Sequence, residues 1–110
     1  MRRLKALARL QALDLADTQA DDAALAHLAG LTELKTLKLS RTAVGDAGLP
    51  KLKSLGALRW LFLDGTKVSD ACAEPLKELN LELLNLRKTG VTDAGLEALK
   101  LALPRARILK

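Results

Sequence analysis

The apolar positions of the chain repeat with two periods at once. Over the long range, Leu10, Leu34, Leu58 and Leu81 open four copies spaced by 24, 24 and 23 residues. The columns Leu13, Leu37, Leu61, Leu84 and Leu15, Leu39, Leu63, Leu86 keep that spacing, as do Thr18, Thr42, Thr66, Thr89 and Asp22, Asp46, Asp70, Asp93. Self-similarity of this kind marks a solenoid, in which no copy buries its own apolar face and each stacks on the next. Over the short range, the period changes within each copy. Leu13-Asp14-Leu15 and its equivalents alternate in, out, in, which predicts a short strand buried on one side. Beyond Asp22 the apolar residues fall at 25, 28 and 31, and a spacing of three fits a short, tight helix. Strand then helix in every copy, with short links, predicts an α/β solenoid of parallel strands joined by right-handed connections.

The grid sets the boundaries. Residues 1–9 match the second half of a repeat through Leu4 and Leu7; repeats follow at 10–33, 34–57, 58–80 and 81–102, and a closing segment at 103–110. All belong to a single domain. The connector between copies is Thr32-Glu33, then Gly56-Ala57, and shrinks to Asn80, a deletion placed at a turn where it costs least. Ile108 and Lys110 fall on strand positions, so a short closing strand is expected there. Solenoid ends need covering. The expectation is that Leu4, Leu7 and Leu10 at one end, and Leu103, Ile108 and Leu109 at the other, are partly exposed. That points to self-association through an end or to a place in a longer array.

Other columns carry local chemistry. The Thr column lies just after each strand, where a hydroxyl turned inward must find a partner, and a ladder of Thr-to-backbone hydrogen bonds is expected. The Asp column opens each helical half, where a carboxylate suits the positive helix start. One residue earlier, Asp21, Ser69 and Thr92 are good N-caps and Gly45 a weaker one. Small residues follow (Ala24, Gly48, Cys72, Gly95), which implies close approach between copies. Pro50 and Pro75 lie inside helical halves, where proline removes a hydrogen bond and clashes with the preceding turn. In copies two and three a separate turn is therefore expected first, with a short helix starting near the proline.

Composition adds three constraints. Leucine supplies 28 of 110 residues while Phe and Trp occur once each, so the core is aliphatic and the two aromatics need another explanation. A single cysteine, Cys72, allows no internal disulfide and fits a cytoplasmic location. No apolar run approaches a membrane span, and Lys5 and Arg9 sit where a signal peptide needs its apolar region. The formal charge is +5, yet Arg2, Arg3, Lys5, Arg9, Arg105, Arg107 and Lys110 lie near the ends and leave 11 basic against 13 acidic residues between. A nucleic-acid groove would need a continuous basic stripe.

The pattern Leu-x-x-Leu-x-Leu-x-x-Thr-x-Val-x-Asp-Ala-Gly-Leu, seen most fully through Val91-Thr92-Asp93-Ala94-Gly95-Leu96, resembles a leucine-rich repeat. It is similar to the bacterial cysteine-containing and GALA-like subclasses, with Thr where many relatives have Asn. The resemblance implies a curved solenoid with a short parallel sheet on the concave face and short helices on the convex face. It also implies protein binding, commonly through the concave face.

A search for catalytic chemistry finds none. His27, the only histidine, falls in a column with Lys51, Pro75 and Ala98 and reads as a surface residue; Cys72 reads as a small packing residue. One His and one Cys do not make a zinc site. The aspartates are spread one per copy and read as helix-start residues. Ser40 and Ser54 have no matching His, and there is no glycine-rich phosphate loop. The chain therefore reads as a non-enzyme that takes no cofactor or metal. Two binding classes remain. The first is a scaffold for a protein partner. The second is a polyanion or nucleic-acid binder using Lys35, Lys38, Arg41, Arg59, Arg87 and Lys88, disfavoured because Asp14, Asp17, Asp64 and Glu82 interrupt that set. For the first class the strand pattern places a site. The outward columns read Ala12, Thr36, Trp60, Leu83; Asp14, Lys38, Phe62, Asn85; and Ala16, Ser40, Asp64, Arg87. The only Trp and only Phe thus share the exposed face of one strand beside Leu83. Lys38, Arg41, Arg59, Asp64 and Arg87 form a polar rim, and such a patch is the signature of an interaction site.

Overall fold

The computed structural model describes residues 9–110. Five three-residue strands, β1 (Ala12–Asp14), β2 (Thr36–Lys38), β3 (Trp60–Phe62), β4 (Leu83–Asn85) and β5 (Arg107–Leu109), form one parallel sheet in sequence order. The register pairs equivalent residues of successive copies: Leu13 with Leu37, Leu61, Leu84 and Ile108. β5 is the expected closing strand. Backbone bonding continues past the strands, with Asp17 N donating to Ser40 O at 2.9 Å, Arg41 N to Asp64 O at 2.8 Å and Gly65 N to Arg87 O at 2.9 Å. At these positions Asp17, Arg41 and Lys88 take positive φ (60°, 57° and 58°), as does Gly65 at 71°. The chain turns off the sheet there, and this left-handed column was not foreseen from the sequence.

The helical halves differ from copy to copy. Copy one has α1 (Asp22–Ala26) and copy four the longest helix, α3 (Asp93–Ala102). Copy three follows the expectation for its proline, with a 3-10 turn Asp70–Cys72 leading into α2 (Ala73–Leu76), which holds Pro75. Copy two does not. One 3-10 helix, Asp46–Ser54, runs through Pro50 without a separate turn. That 3-10 helix forgoes the one bond that Pro50 cannot donate, to the carbonyl three residues back, and continues past it.

The core lies between sheet and helices. Leu37, Leu39, Leu61, Leu63, Leu84 and Leu86 from the strand segments and Leu25, Leu49, Leu52, Leu76 and Leu99 from the helical side are all fully buried. In the outermost strands the equivalents Leu13, Leu15 and Ile108 are only half-buried. The expectation of exposed ends holds for Leu10, Ile108 and Leu109, which are half-buried. It fails for Leu103, which is 4% exposed because the chain, having closed α3 through its N–H to Leu99 O, turns it into the core. Leu4 and Leu7 lie outside the described residues.

The Thr column behaves as expected. Each hydroxyl donates to the carbonyl three residues back, Thr18 to Leu15, Thr42 to Leu39, Thr66 to Leu63 and Thr89 to Leu86, at 2.6–2.7 Å. The Asp column opens each helical half as expected, and three of its members do more. Asp22 accepts from Gly45 N at 2.7 Å, Asp46 from Ser69 N at 2.9 Å and from the Ser69 hydroxyl, and Asp70 from Thr92 N at 2.7 Å and the Thr92 hydroxyl at 2.5 Å. Each of these three carboxylates is a staple to the next copy's helix entrance as well as a helix-start charge, while Asp93 accepts from Lys110 Nζ at 3.0 Å. Capping differs between copies. Asp21 and Thr92 cap their helices as expected, Thr92 while also donating its hydroxyl to Asp70, whereas Ser69 donates to Asp46 and makes no cap bond. The staples also set the small column. A Cβ on Gly48 would lie 2.5 Å from Asp22 Oδ1, and one on Gly95 would lie 2.0 Å from Asp70 Oδ1. Cys72 occupies the same column, fully buried, and burial together with the nearby Asp46 and Asp70 charges pushes its thiol up to about 12.

Candidate functional site

The parallel register puts Trp60 on the sheet face beside Thr36 and Leu83, and Phe62 beside Lys38 and Asn85. Between them Leu61 points into the core, fully buried. Trp60 is 48% exposed, one of two large apolar residues this open among the described residues, the other being Leu101 on α3. Phe62 and Leu83 are half-buried. The sheet alternation, with leucine filling the inward places of β1 to β4 and Ile108 that of β5, thus leaves the aromatics outside. A depression of about 420 Å³ opens at Trp60, lined also by Lys35, Thr36, Ala57, Arg59 and Glu82.

The rim residues divide into held and free. Arg41 Nε lies 2.5 Å and Nη2 2.8 Å from the Asp17 carboxylate, and Nη1 lies 3.6 Å from Asp64. This hydrogen-bonded pairing holds the Asp17 carboxyl below its usual range and raises the Arg41 guanidinium. Asp64 accepts from the Ser40 hydroxyl at 2.6 Å. Arg59 donates to the Gly56 and Leu58 carbonyls at 3.1 Å and sits 3.9 Å from Glu82. Lys38 lies over the Phe62 ring with Nζ 5.5 Å from its centroid, a cation–π contact. Arg87 is exposed, and its guanidinium makes no ion pair among the described residues. Arg41, Arg59 and Asp64 therefore serve the sheet's own order first, with side-chain bonds already in place.

Two residues of this face were not placed from the sequence. Arg107 continues the Trp60–Leu83 column and Leu109 the Phe62–Asn85 column. The signal was present: Ile108 matches Leu84 one period later, so its neighbours had to flank it as Leu83 and Asn85 flank Leu84. The backbone of this face is closed locally. Asp14 Oδ1 accepts from Ala16 N at 2.9 Å and Asn85 Oδ1 from Arg87 N at 3.1 Å, two Asx turns at equivalent places.

The remaining candidates for chemistry stand apart from this face. His27 is exposed at the C-cap of α1, and Ser54 donates to Ala29 O at 2.9 Å. Among the described residues no group of three or more His, Cys, Asp or Glu could hold a metal ion, and no helix is long and apolar enough to cross a membrane.

A family model described as Leucine Rich repeat matches residues 31–53 and 77–100. A leucine-rich repeat protein of Leptospira interrogans matches with TM-score 0.69 and 22% identity over 90% of this chain. An internalin of Listeria monocytogenes matches with TM-score 0.57 and 19% identity over 100% of it. This chain spans only 25% and 37% of the lengths of those two proteins. A search of curated protein sequences found no match. Leucine-rich repeats are generally protein-interaction repeats, and the fold is typically non-catalytic. Repeat spacing, the five-stranded parallel sheet and these likenesses agree that the chain is an α/β leucine-rich-repeat solenoid.

Proposed function

We propose that this solenoid is a non-catalytic scaffold that binds a protein partner through the concave sheet face, with Trp60, Phe62 and Leu83 as the apolar anchor. One observation carries the reading. The only Trp lies 48% exposed in the middle of the sheet, next to Leu83 and two residues from the only Phe, where it contributes little to the core. Aromatic and arginine residues dominate binding hot spots, and truncating such an anchor costs ~2 kcal/mol or more of binding. Lys38, Arg87 and Asp64 border the patch, with Arg41 and Arg59 acting through their fixed partners. The test is Trp60→Ala and Phe62→Ala against a partner captured from the native cell, with Glu97→Ala on α3 as control. Binding should fall at least tenfold in both sheet variants and stay unchanged in the control. Unchanged affinity in both would move the site to the helical side or an end.

The subclass assignment, cysteine-containing or GALA-like, belongs to the same proposal. It is supported by Cys72 in the column of small residues that it shares with Gly48 and Gly95. So does a cytoplasmic location, supported by Cys72 being a buried free thiol. Cell fractionation finding the chain outside the cytoplasm would remove that part.

A further inference from the structure

We infer that the partner presents an acidic, extended segment in which a carboxylate follows an apolar anchor at a spacing of about three residues. This rests on the protein-binding reading of the sheet face and specifies the chemistry of its partner. The face is electrostatically divided. Over β1 to β3 its carboxylates are engaged within the chain: Asp14 by Ala16 N–H, Asp17 by Arg41, and Asp64 by the Ser40 hydroxyl with Arg41 nearby. Toward β5 the cations are open. Arg87 and Arg107 are both exposed, and neither makes an ion pair or side-chain hydrogen bond among the described residues. On the other side of Trp60, Lys35 lines the same depression and is likewise unpaired among the described residues. Glu82, the one carboxylate lining that depression, stands 3.9 Å from Arg59. The apolar patch is thus bordered by free positive charge without free negative charge to match.

The geometry gives the segment its spacing. Trp60, Leu83 and Arg107 stand side by side in one register column on successive strands. Neighbouring strands lie about 4.8 Å apart, so Trp60 and Arg107 are separated by about 10 Å, the length of about three extended residues at ~3.3 Å each. A chain crossing the strands can therefore seat an apolar side chain on Trp60 and Leu83 and bring a carboxylate to Arg107, while Arg87, four residues on from Leu83 and about 13 Å along the strand direction, adds a second open cation to the same end of the face. Arginine forms charge-assisted, two-pronged bonds with carboxylates, which suits it to this end of the segment. The observations favour a peptide over a nucleic acid because the anchor includes Leu83 beside Trp60 and because the open cations stand at separate places around the column and form no continuous basic stripe.

The experiment is a selection of random linear peptides displayed against the full chain, followed by titration of the enriched peptides. The expected result is enrichment of Phe, Leu or Trp with Asp or Glu about three positions away. Those peptides should lose about tenfold or more in affinity against the Arg87→Glu, Arg107→Glu double variant. Their Lys-for-acid counterparts should bind that variant better than the native chain. The neutral pair Arg87→Gln, Arg107→Gln, which removes charge without adding repulsion, should show an intermediate loss. Circular dichroism checks that each variant is folded. Enriched peptides that are neutral or basic, yet lose binding on Trp60→Ala, would overturn the acidic-segment inference and leave the parent reading standing. Enriched peptides indifferent to Trp60→Ala would overturn both. No enrichment, with tight binding of a single-stranded oligonucleotide, would overturn both in favour of a polyanion.

Discussion

Two regions of the molecule depart from plain leucine packing, and they meet opposite fates. The aspartates Asp22, Asp46 and Asp70 recur at one place in each copy, and each is consumed by the next copy's backbone N–H. Trp60 and Phe62 occur once, and Trp60 remains half in water. The difference follows from how a solenoid is built. A residue repeated at the period always meets the same neighbour one repeat on, so it can be fitted into the stack. A residue present in one copy has no such counterpart. Recurrence therefore marks the scaffold and singularity marks what the scaffold carries, although both regions hold strongly interacting side chains.

This contrast can be broken at its foundation. Leu61→Asp places an unpaired charge among fully buried leucines, which costs far more than a repeat interface returns. Because each copy leans on its neighbours, the whole described array should unfold, read as loss of amide-exchange protection from β1 to β5. Persistent protection in the outer copies would mean that they stand alone.

The staple can be tested more finely. Alanine ordinarily stabilises a helix position relative to glycine by up to ~1 kcal/mol. Gly95→Ala should instead destabilise by about 1–3 kcal/mol, because its Cβ would come within 2.0 Å of Asp70 Oδ1. In the Asp70→Ala background that penalty should vanish or change sign, a coupling that urea denaturation of the four variants measures. A smaller loss, about 1–2 kcal/mol, is expected for Asp46→Ala, which leaves Ser69 N–H and its hydroxyl without their acceptor. Losses shared with Ser69→Ala would show as non-additivity.

Acid should act in the same direction and more gently. The Thr92 hydroxyl and N–H hold the Asp70 carboxyl below its usual range, and Arg41 does the same for Asp17. A carboxylate whose folded value is depressed adds stability that is complete above the unfolded value, about pH 4, and is lost as pH falls through the folded value. The urea midpoint should therefore drop as pH falls below the unfolded value of about 4, and the Asp70→Asn variant should show a shallower drop.

The sequence made the fold legible because period and alternation are properties of single positions. Four copies of Leu-x-Leu determined the strands, their register and the inward leucines, and with them the outward place of Trp60 and Phe62. What stayed hidden depends on pairs of residues in different copies. The Asp staples run from Asp46 to Ser69, 23 residues apart, and an isolated copy gives no reason to prefer that partner over the helix start. The same holds for Arg41, which looks like a free rim cation until its left-handed backbone and Asp17 are seen together. The course of copy two does not follow from the rule against interior proline, because a 3-10 helix forms there and continues past the one bond that Pro50 lacks.

The most direct test of the contrast is the urea midpoint of Trp60→Ala, Phe62→Ala, followed by circular dichroism because the variant lacks the chain's only Trp. Set beside it, Leu61→Ala, between them on the same strand and fully buried, should lose about 2–5 kcal/mol. If the aromatics are carried by the scaffold and do not form it, the double variant should lose less than the single Leu61 variant and keep the same denaturant slope. A loss equal to or greater than that of Leu61→Ala would contradict the account, because it would make Trp60 and Phe62 part of what holds the solenoid together.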